Sequence, residues 1–169
     1  AVGIENARLI AAERQVGEIN GRFTRSGWVP VHHVFRGLDR ARLLAWYRAA
    51  NVALVTPLKD GMNLVAKEYC AANPDGVLVL SEFAGAAAQL QHGALLVNPY
   101  DVEGTAAAIA RAVHMEPRER RARMRRLRRS VRTHDIYWWL NAFLRAAVSK
   151  DLEDLPVVAD FVPKEAAGR

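Results

Sequence analysis

One nine-residue stretch combines acids, an amide and a lysine at spacings that suit a phosphorylated ligand. Its residues are Asp60, Gly61, Met62, Asn63, Leu64, Val65, Ala66, Lys67 and Glu68, and it follows the apolar run 51–56. An apolar run, a short loop and an acid-Gly turn that opens a helical pattern predict a strand, a loop and a helix. The first amides of such a helix point beyond the end of the strand, where they can donate to a diphosphate.

The two carboxylates of this stretch suggest two contacts with one ligand. Asn63 and Lys67 lie four positions apart, as do Leu64 and Glu68, so polar groups are expected on the helix side that faces the ligand. Glu68 can accept two ribose hydroxyls while the first amides of the helix face phosphate. Asp60 can accept hydroxyls of the sugar. A turn followed by a solvated helix is the simpler interpretation, but the adjoining strand favours a nucleotide-sugar site.

Two later segments also follow predicted strands, and each has both a structural and a functional interpretation. The small residues of 81–87 allow a ligand to approach the backbone closely, and close helix–sheet packing explains them equally well. Their position at the same sheet edge as the first stretch slightly favours a role in ligand binding. A strand-end turn with an N-cap at Asp101 explains 98–101 without a ligand.

Strand and helix patterns alternate along most of the chain. Buried strands are predicted at 51–56, 76–80 and 93–97, and an alternating strand at 28–34. Helices are predicted at 1–24, 39–50, 62–72, 84–90, 101–115, 117–133 and 135–148. Short loops between them predict right-handed crossovers and an α/β fold, a doubly wound, Rossmann-like parallel sheet. Residues 1–149 form one predicted domain, and 150–169 a loose tail.

Composition excludes several classes of protein. The 169 residues, 51% of them hydrophobic, suffice for one domain with a core. A single cysteine rules out an intrachain disulfide, and no apolar run approaches the roughly 18 residues of a membrane span. We therefore predict a cytoplasmic protein without a membrane partner. The first residues lack an initiator Met and resemble the interior of a larger protein, so we expect a fragment.

The net charge of +6 comes from one predicted helix. Residues 111–132 hold ten arginines and two glutamates, whereas the remainder has 14 basic and 16 acidic residues. Met124, Leu127 and Val131 form one stripe of this helix, so its arginines are predicted to form a solvated face. Without interleaved aromatic residues, nucleic acid is not the expected partner. No Cys/His cluster has the spacing of metal ligands, and neither a metal nor a cofactor is predicted.

Three segments together resemble the trehalose-6-phosphate synthase family of glycosyltransferases. They read YRAANVALVTPLKDGMNLVAKEYCAANPD at 47–75, GVLVLSEFAGAAAQL at 76–90 and ALLVNPYD at 94–101. VGEINGRF at 16–23 and the W-x-P-V pattern at 28–31 add to the match. The family has two Rossmann-type lobes facing a cleft, the GT-B arrangement, and this chain resembles the carboxyl-terminal lobe. That lobe binds UDP-glucose or another nucleoside diphosphate glucose.

The resemblance implies a role for each part of the opening stretch. Asp60 contacts glucose hydroxyls, with 61–63 beside the sugar. Leu64 and Val65 meet the diphosphate through backbone amides, and Glu68 holds the ribose.

Leu38 falls where the family contacts uracil through its backbone. The full predicted substrate site comprises Leu38, Asp60, Gly61, Met62, Asn63, Leu64, Val65, Ala66, Lys67 and Glu68. No residue is predicted as a catalytic acid or base.

The implied activity is retaining, metal-independent transfer of glucose from UDP-glucose to glucose 6-phosphate, giving trehalose 6-phosphate. The amino-terminal lobe, with the acceptor site and a catalytic histidine, is not matched. Nor is the first strand of the carboxyl-terminal lobe, with the Arg and Lys that neutralise the diphosphate. A helix end contributes at most ~2 kcal/mol, so we expect weak donor binding and no transfer by this chain alone.

Alternatives remain open at this point. A glucosylglycerol-phosphate synthase or a pseudo-glycosyltransferase would use the same donor lobe with another acceptor. A non-catalytic regulatory module would keep nucleotide-sugar binding and lose the chemistry. An arginine-helix nucleic-acid binder would show a salt-dependent shift of DNA. Assembly into a homo-oligomer is also compatible with the sequence.

Overall fold

The computed structural model describes residues 2–149, which divide into two units between Leu38 and Asp39. The predicted tail at 150–169 lies outside the described residues. In the first unit, helix α1 spans Val2–Phe23, as the sequence predicts. None of the described helices is both long enough and apolar enough to cross a membrane.

The strand predicted at 28–34 is wrong. Arg25 and Trp28 form an isolated antiparallel bridge around a turn at Gly27, and residues 29–34 belong to no strand. Val31 donates its N–H to Asn20 Oδ1 at 3.0 Å, and its carbonyl accepts from Asn20 Nδ2 at 2.9 Å. An asparagine side chain therefore takes the two backbone groups that a neighbouring strand would have paired.

The second unit alternates strands and helices. Its elements are α2 (Arg40–Ala49), β1 (Val52–Val55), α3 (Leu64–Ala72), β2 (Val77–Ser81), α4 (Ala87–Leu90), β3 (Leu95–Val97), α5 (Val102–Val113), α6 (Pro117–Thr133) and α7 (Ile136–Ser149). Asp39 and Asp101 cap α2 and α5 by accepting a backbone N–H, as predicted.

The three strands form one parallel sheet in the order β1-β2-β3, which confirms the predicted α/β fold. The central strand β2 is buried on both faces. Leu78 and Leu80 face a cluster that includes residues of α3, α4 and α6, and Val77 and Val79 face Ala112 of α5. Helices cover both faces of β2, which is why it is a continuous apolar run. Strand β1 pairs with β2 alone and its Leu54 is 49% exposed, so the prediction of a buried strand at 51–56 is wrong about burial.

A buried amide ties α3 to α2. Asn73, 3% exposed, donates through Nδ2 to the carbonyls of Tyr47 at 2.7 Å and Ala50 at 2.9 Å. Its Oδ1 accepts the N–H of Asp75 at 2.9 Å. Buried Tyr69 adds a bond from its hydroxyl to the Ala50 carbonyl at 3.1 Å. These bonds fix where α3 lies against α2.

The arginine-rich α6 packs on the same face of the sheet as α3. Met124 and Leu127 are fully buried, and Val131 packs against the same cluster, as the apolar stripe predicts. Arg120 forms an ion pair with Asp75 at 3.0 Å, which links α6 to the end of α3.

Candidate functional site

The Asp60 carboxylate organises the loop after β1. Its Oδ1 accepts the N–H of Met62 at 3.0 Å and that of Asn63 at 2.9 Å, and its Oδ2 accepts from Asn63 Nδ2 at 2.8 Å. An ionised carboxylate offers about four lone-pair sites. One site therefore remains on the carboxylate for a further donor such as a sugar hydroxyl.

Asn63 turns the chain into α3. Its φ of 54° and ψ of 79° are left-handed, which asparagine tolerates better than most residues, and it is the N-cap. Its Oδ1 accepts the N–H of Ala66 at 2.9 Å. The amides of Leu64 and Val65 then lie in the first turn, where no intrahelical carbonyl is available. No acidic residue lies within this turn, but the Asp60 carboxylate accepts the N–H of Asn63 at its start and offsets part of the positive charge of the helix end.

The loop after β2 docks directly on the Asp60 loop. Gly85 donates its N–H to the Asp60 carbonyl at 2.8 Å, and Asp60 pairs with Ala84 in a short parallel bridge. A Cβ built on Gly85 would lie 1.9 Å from the Gly61 carbonyl oxygen. The small residues of 81–87 thus allow the loop after β2 to approach the loop after β1. The sequence pattern does not predict this contact between loops.

Glu68 lies on the side of α3 that faces α2. Tyr47 donates its hydroxyl to Glu68 Oε2 at 3.2 Å. Burial, followed by the bond to Glu68, raises the pKa of the Tyr47 hydroxyl. Tyr47 was not among the predicted site residues, since nothing in its sequence context links it to a residue 21 positions away.

A cavity of about 600 Å³ opens beside Glu68. Its lining comprises Arg40, Leu43, Leu44, Tyr47, Arg48, Glu68, Ala71 and Ala72. It combines an apolar wall, two guanidinium groups and one carboxylate. Leu38, half-buried, is the last residue of the 1–38 unit and directly precedes the N-cap of α2.

Lys67 lies on a different side of α3 from Glu68. It lines a second cavity of about 260 Å³ together with Met62, Leu64 and the tryptophans Trp138 and Trp139. Desolvation in this largely apolar setting lowers the pKa of the Lys67 ammonium group. Of the ten predicted residues, Glu68 therefore lines one cavity, and Met62, Leu64 and Lys67 line the other.

Ala66 and Gly61 differ in how they can contribute. The Ala66 side chain is fully buried in the core, and its N–H donates to Asn63 Oδ1, so Ala66 packs α3 onto the core and has no free amide for a ligand. Gly61 is exposed, and a Cβ there would meet no atom within 4 Å. Among residues 2–149, no group of three or more His, Cys, Asp or Glu side chains could hold a metal ion.

The Asp60 carboxylate should make stability depend on pH in the acid range. The side-chain bond from Asn63, followed by backbone bonds from Met62 and Asn63, holds its pKa below the usual value of 3.8. A lowered native pKa stabilises the fold above the unfolded pKa, and this contribution is lost as pH falls through the native value. We expect the difference in unfolding free energy between wild type and Asp60→Asn to be constant above about pH 5 and to shrink below about pH 4.

Urea unfolding from pH 3 to pH 7 measures that difference. A difference that stays the same over the whole range would contradict the ionised role of Asp60.

Comparison with known proteins gives consistent matches. The family model of glycosyltransferase family 20 matches residues 5–149. A trehalose-6-phosphate synthase of Mycolicibacterium smegmatis is 50% identical over 154 residues, which cover 89% of this chain and 30% of the relative.

Two solved structures match at similar levels. The alpha,alpha-trehalose-phosphate synthase (UDP-forming) of Burkholderia xenovorans, in complex with glucose-6-phosphate, gives a TM-score of 0.78 at 47% identity, over 83% of this chain and 31% of that one. An Escherichia coli protein bound with UDP-2-fluoro glucose gives a TM-score of 0.75 at 46% identity, over 79% of this chain and 30% of that one. This chain spans about 30% of the length of the relatives that it matches.

Proposed function

This chain belongs to glycosyltransferase family 20, and from that membership we propose that it is the donor-binding part of a retaining trehalose-6-phosphate synthase. The donor is UDP-glucose or another nucleoside diphosphate glucose. The acceptor, glucose 6-phosphate, is bound by the portion of the relatives that this chain does not span. Residues 1–149 are proposed as the donor lobe, and the predicted substrate site as its binding residues.

The observation that carries this proposal is the joined pair of loops at the carboxyl end of β1 and β2. Asp60 fixes its own loop through three hydrogen bonds, and Gly85 anchors that loop through the Asp60 carbonyl. The result is a preformed turn that leads into the uncapped amides of Leu64 and Val65. Preformed amides at a helix start favour a diphosphate.

The cavity beside Glu68 supports the nucleoside half of the donor. Its apolar wall at Leu43 and Leu44 suits the face of a base or ribose, and Glu68 can accept ribose hydroxyls. Arg40 and Arg48 bring positive charge to the same cavity. Tyr47 orients the Glu68 carboxylate by donating to one of its oxygens.

In the proposed reaction, this chain orients the donor and stabilises the departing UDP. The negative charge that develops on the diphosphate faces the amino-terminal amides and the dipole of α3. Asp60 holds the sugar by hydroxyl contacts, which fixes the anomeric carbon relative to the acceptor. No side chain of this site is assigned a proton-transfer role.

Glu68→Ala is expected to raise the dissociation constant for UDP about tenfold, because hydrogen bonds to charged groups contribute about 1.5–3 kcal/mol. NMR titration of the chain with UDP measures this at millimolar concentrations. Glu103→Ala removes another exposed glutamate, in the first turn of α5, and should leave the constant unchanged. Equal affinity in wild type and Glu68→Ala would remove Glu68 from the site.

The activity itself is tested in a chimaera. Residues 1–149 replace the matching segment of the Mycolicibacterium smegmatis relative, and UDP release from UDP-glucose is followed with glucose 6-phosphate as acceptor. Formation of trehalose 6-phosphate is the expected result. A folded chimaera that binds UDP but forms no product would place this chain among non-catalytic relatives.

A further inference from the structure

A third cavity lies between α6 and the segment that contains α4. Its volume is about 380 Å³, within the usual range of roughly 300–1,000 Å³ for small-molecule sites. The lining comprises Ala88, Gln89, Leu90, His92, Gly93, Arg126, Leu127, Arg129, Ser130, Thr133 and His134. Neither Asp60 nor Glu68 lines it, and it shares only Gln89 and His134 with the neighbouring cavity beside Lys67.

Two arginines give this cavity its charge. Arg126 and Arg129 lie three positions apart on α6, so they share one face of the helix. Within the described part of the chain, the arginines of α6 that form ion pairs are Arg120 and Arg123, and no carboxylate lies within 4.0 Å of Arg126 or Arg129. Both guanidinium groups are exposed and can turn toward a ligand.

The floor of the cavity is apolar and firmly packed. Leu90 and Leu127 are each about 1% exposed. A Cβ on Gly93 would lie 2.6 Å from Leu127 Cγ, so the turn after α4 rests directly on α6. Ser130 Oγ donates to the Gln89 carbonyl at 2.7 Å and joins the two walls. The cavity therefore exists before any ligand arrives, which lowers the entropic cost of binding.

We propose that this cavity binds a small phosphomonoester, with its phosphate held by Arg126 and Arg129. A doubly charged phosphate matches two neighbouring guanidinium groups, each of which can donate two parallel hydrogen bonds. The carbon skeleton of the ligand lies over Leu90 and Leu127, where its apolar face loses contact with water. A nucleic acid fits less well, because the site is concave and no Phe, Tyr or Trp lines it to stack a base.

The test compares two pairs of substitutions on the same helix. Arg126→Gln with Arg129→Gln removes both charges from the cavity. Arg121→Gln with Arg125→Gln removes two exposed charges of α6 that do not line it. The two variants carry equal net charge, so general attraction of anions to the arginine helix changes equally in both.

Isothermal titration at 0.15 M NaCl uses glycerol 3-phosphate and inorganic phosphate as probes, with and without saturating UDP. We expect the double substitution at Arg126 and Arg129 to weaken glycerol 3-phosphate binding about tenfold or more. The control substitutions at Arg121 and Arg125 should weaken it by less than about threefold. Glycerol 3-phosphate should bind more tightly than inorganic phosphate, because only the former has a skeleton to cover the apolar floor. UDP should not compete.

Three outcomes would overturn the proposal. They are equal weakening in both pairs, displacement by UDP, and no binding of glycerol 3-phosphate at about 10 mM. Equal weakening would indicate a diffuse charge effect, and displacement would assign the probe to the donor site. All the substituted arginines are exposed, so thermal melting should change little and confirms that each variant is folded.

Discussion

Replacing Gly85 with valine is expected to lower the free energy of unfolding by about 1–3 kcal/mol and to separate the two loops of the candidate site. The first added atom, Cβ, would lie 1.9 Å from the Gly61 carbonyl oxygen and 2.7 Å from its carbon. Both are backbone atoms, so no side-chain rotation relieves the overlap. The loops must move apart, and the bond from the Gly85 N–H to the Asp60 carbonyl is lost with that movement.

Gly61→Ala is the matched control for stability. It changes a glycine on the other side of the same contact, where an added Cβ meets nothing within 4 Å. Its unfolding free energy should stay within about 0.5 kcal/mol of wild type or rise slightly. Urea unfolding of the three proteins measures the difference. If Gly85→Val and Gly61→Ala unfold at the same urea concentration, the loop contact is not a determinant of stability.

Asp60→Ala should reduce kcat/KM for UDP-glucose by about 100-fold in the chimaera, because a displacement of about 1 Å near the reacting atoms can have that effect. The alanine removes three acceptor contacts that hold Met62 and Asn63 in place. It also removes the carboxylate proposed to contact the sugar. The first turn of α3 then starts from a mobile loop, and the diphosphate amides lose their fixed direction.

Asp101→Ala separates this effect from a general loss of stability. Asp101 caps α5 by accepting the Gly104 N–H at 2.8 Å, so its removal costs about 1 kcal/mol, as for other helix caps. It lies outside the predicted substrate site, and its variant should retain wild-type kinetics. Steady-state kinetics of the Asp60→Ala and Asp101→Ala chimaeras measure kcat/KM for UDP-glucose in both variants. A similar loss of activity in Asp101→Ala would indicate that Asp60 acts through stability alone.

The main fold elements were readable from the sequence because each has a local cause. The apolar run that forms β2 is continuous because helices cover both faces of that strand. Asp39 and Asp101 mark the starts of helices because each carboxylate accepts a hydrogen bond from an N–H only three residues further along the chain. The predicted resemblance to trehalose-6-phosphate synthases is confirmed by the match to glycosyltransferase family 20.

The errors and omissions have non-local causes. The alternating valines after Trp28 satisfy the pattern of a strand, but Val31 bonds to a side chain of α1 instead of a strand. The contact between Tyr47 and Glu68 depends on the packing of α2 against α3, which no local pattern specifies. The cavity lined by Arg126 and Arg129 depends in the same way on how the turn after α4 lies on α6.

The helical period explains why the nine-residue stretch does not form one surface. Adjacent residues of a helix point about 100° apart, so Lys67 and Glu68 are directed toward different neighbours. The sequence placed both acids of the stretch in one site, and each role stays a prediction until the variants are measured. The sequence did not reveal that most acceptor positions of the Asp60 carboxylate bind Met62 and Asn63 of its own loop.

The position of Asn73 has a consequence for the chemical ageing of this protein. Asparagine side chains deamidate when the backbone nitrogen of the next residue attacks the amide, but the next residue here is Pro74, which has no N–H. The reaction would convert a donor into a carboxylate that faces the carbonyls of Tyr47 and Ala50. The amide that joins α3 to α2 beside the Glu68 cavity is thus protected from this route of deamidation.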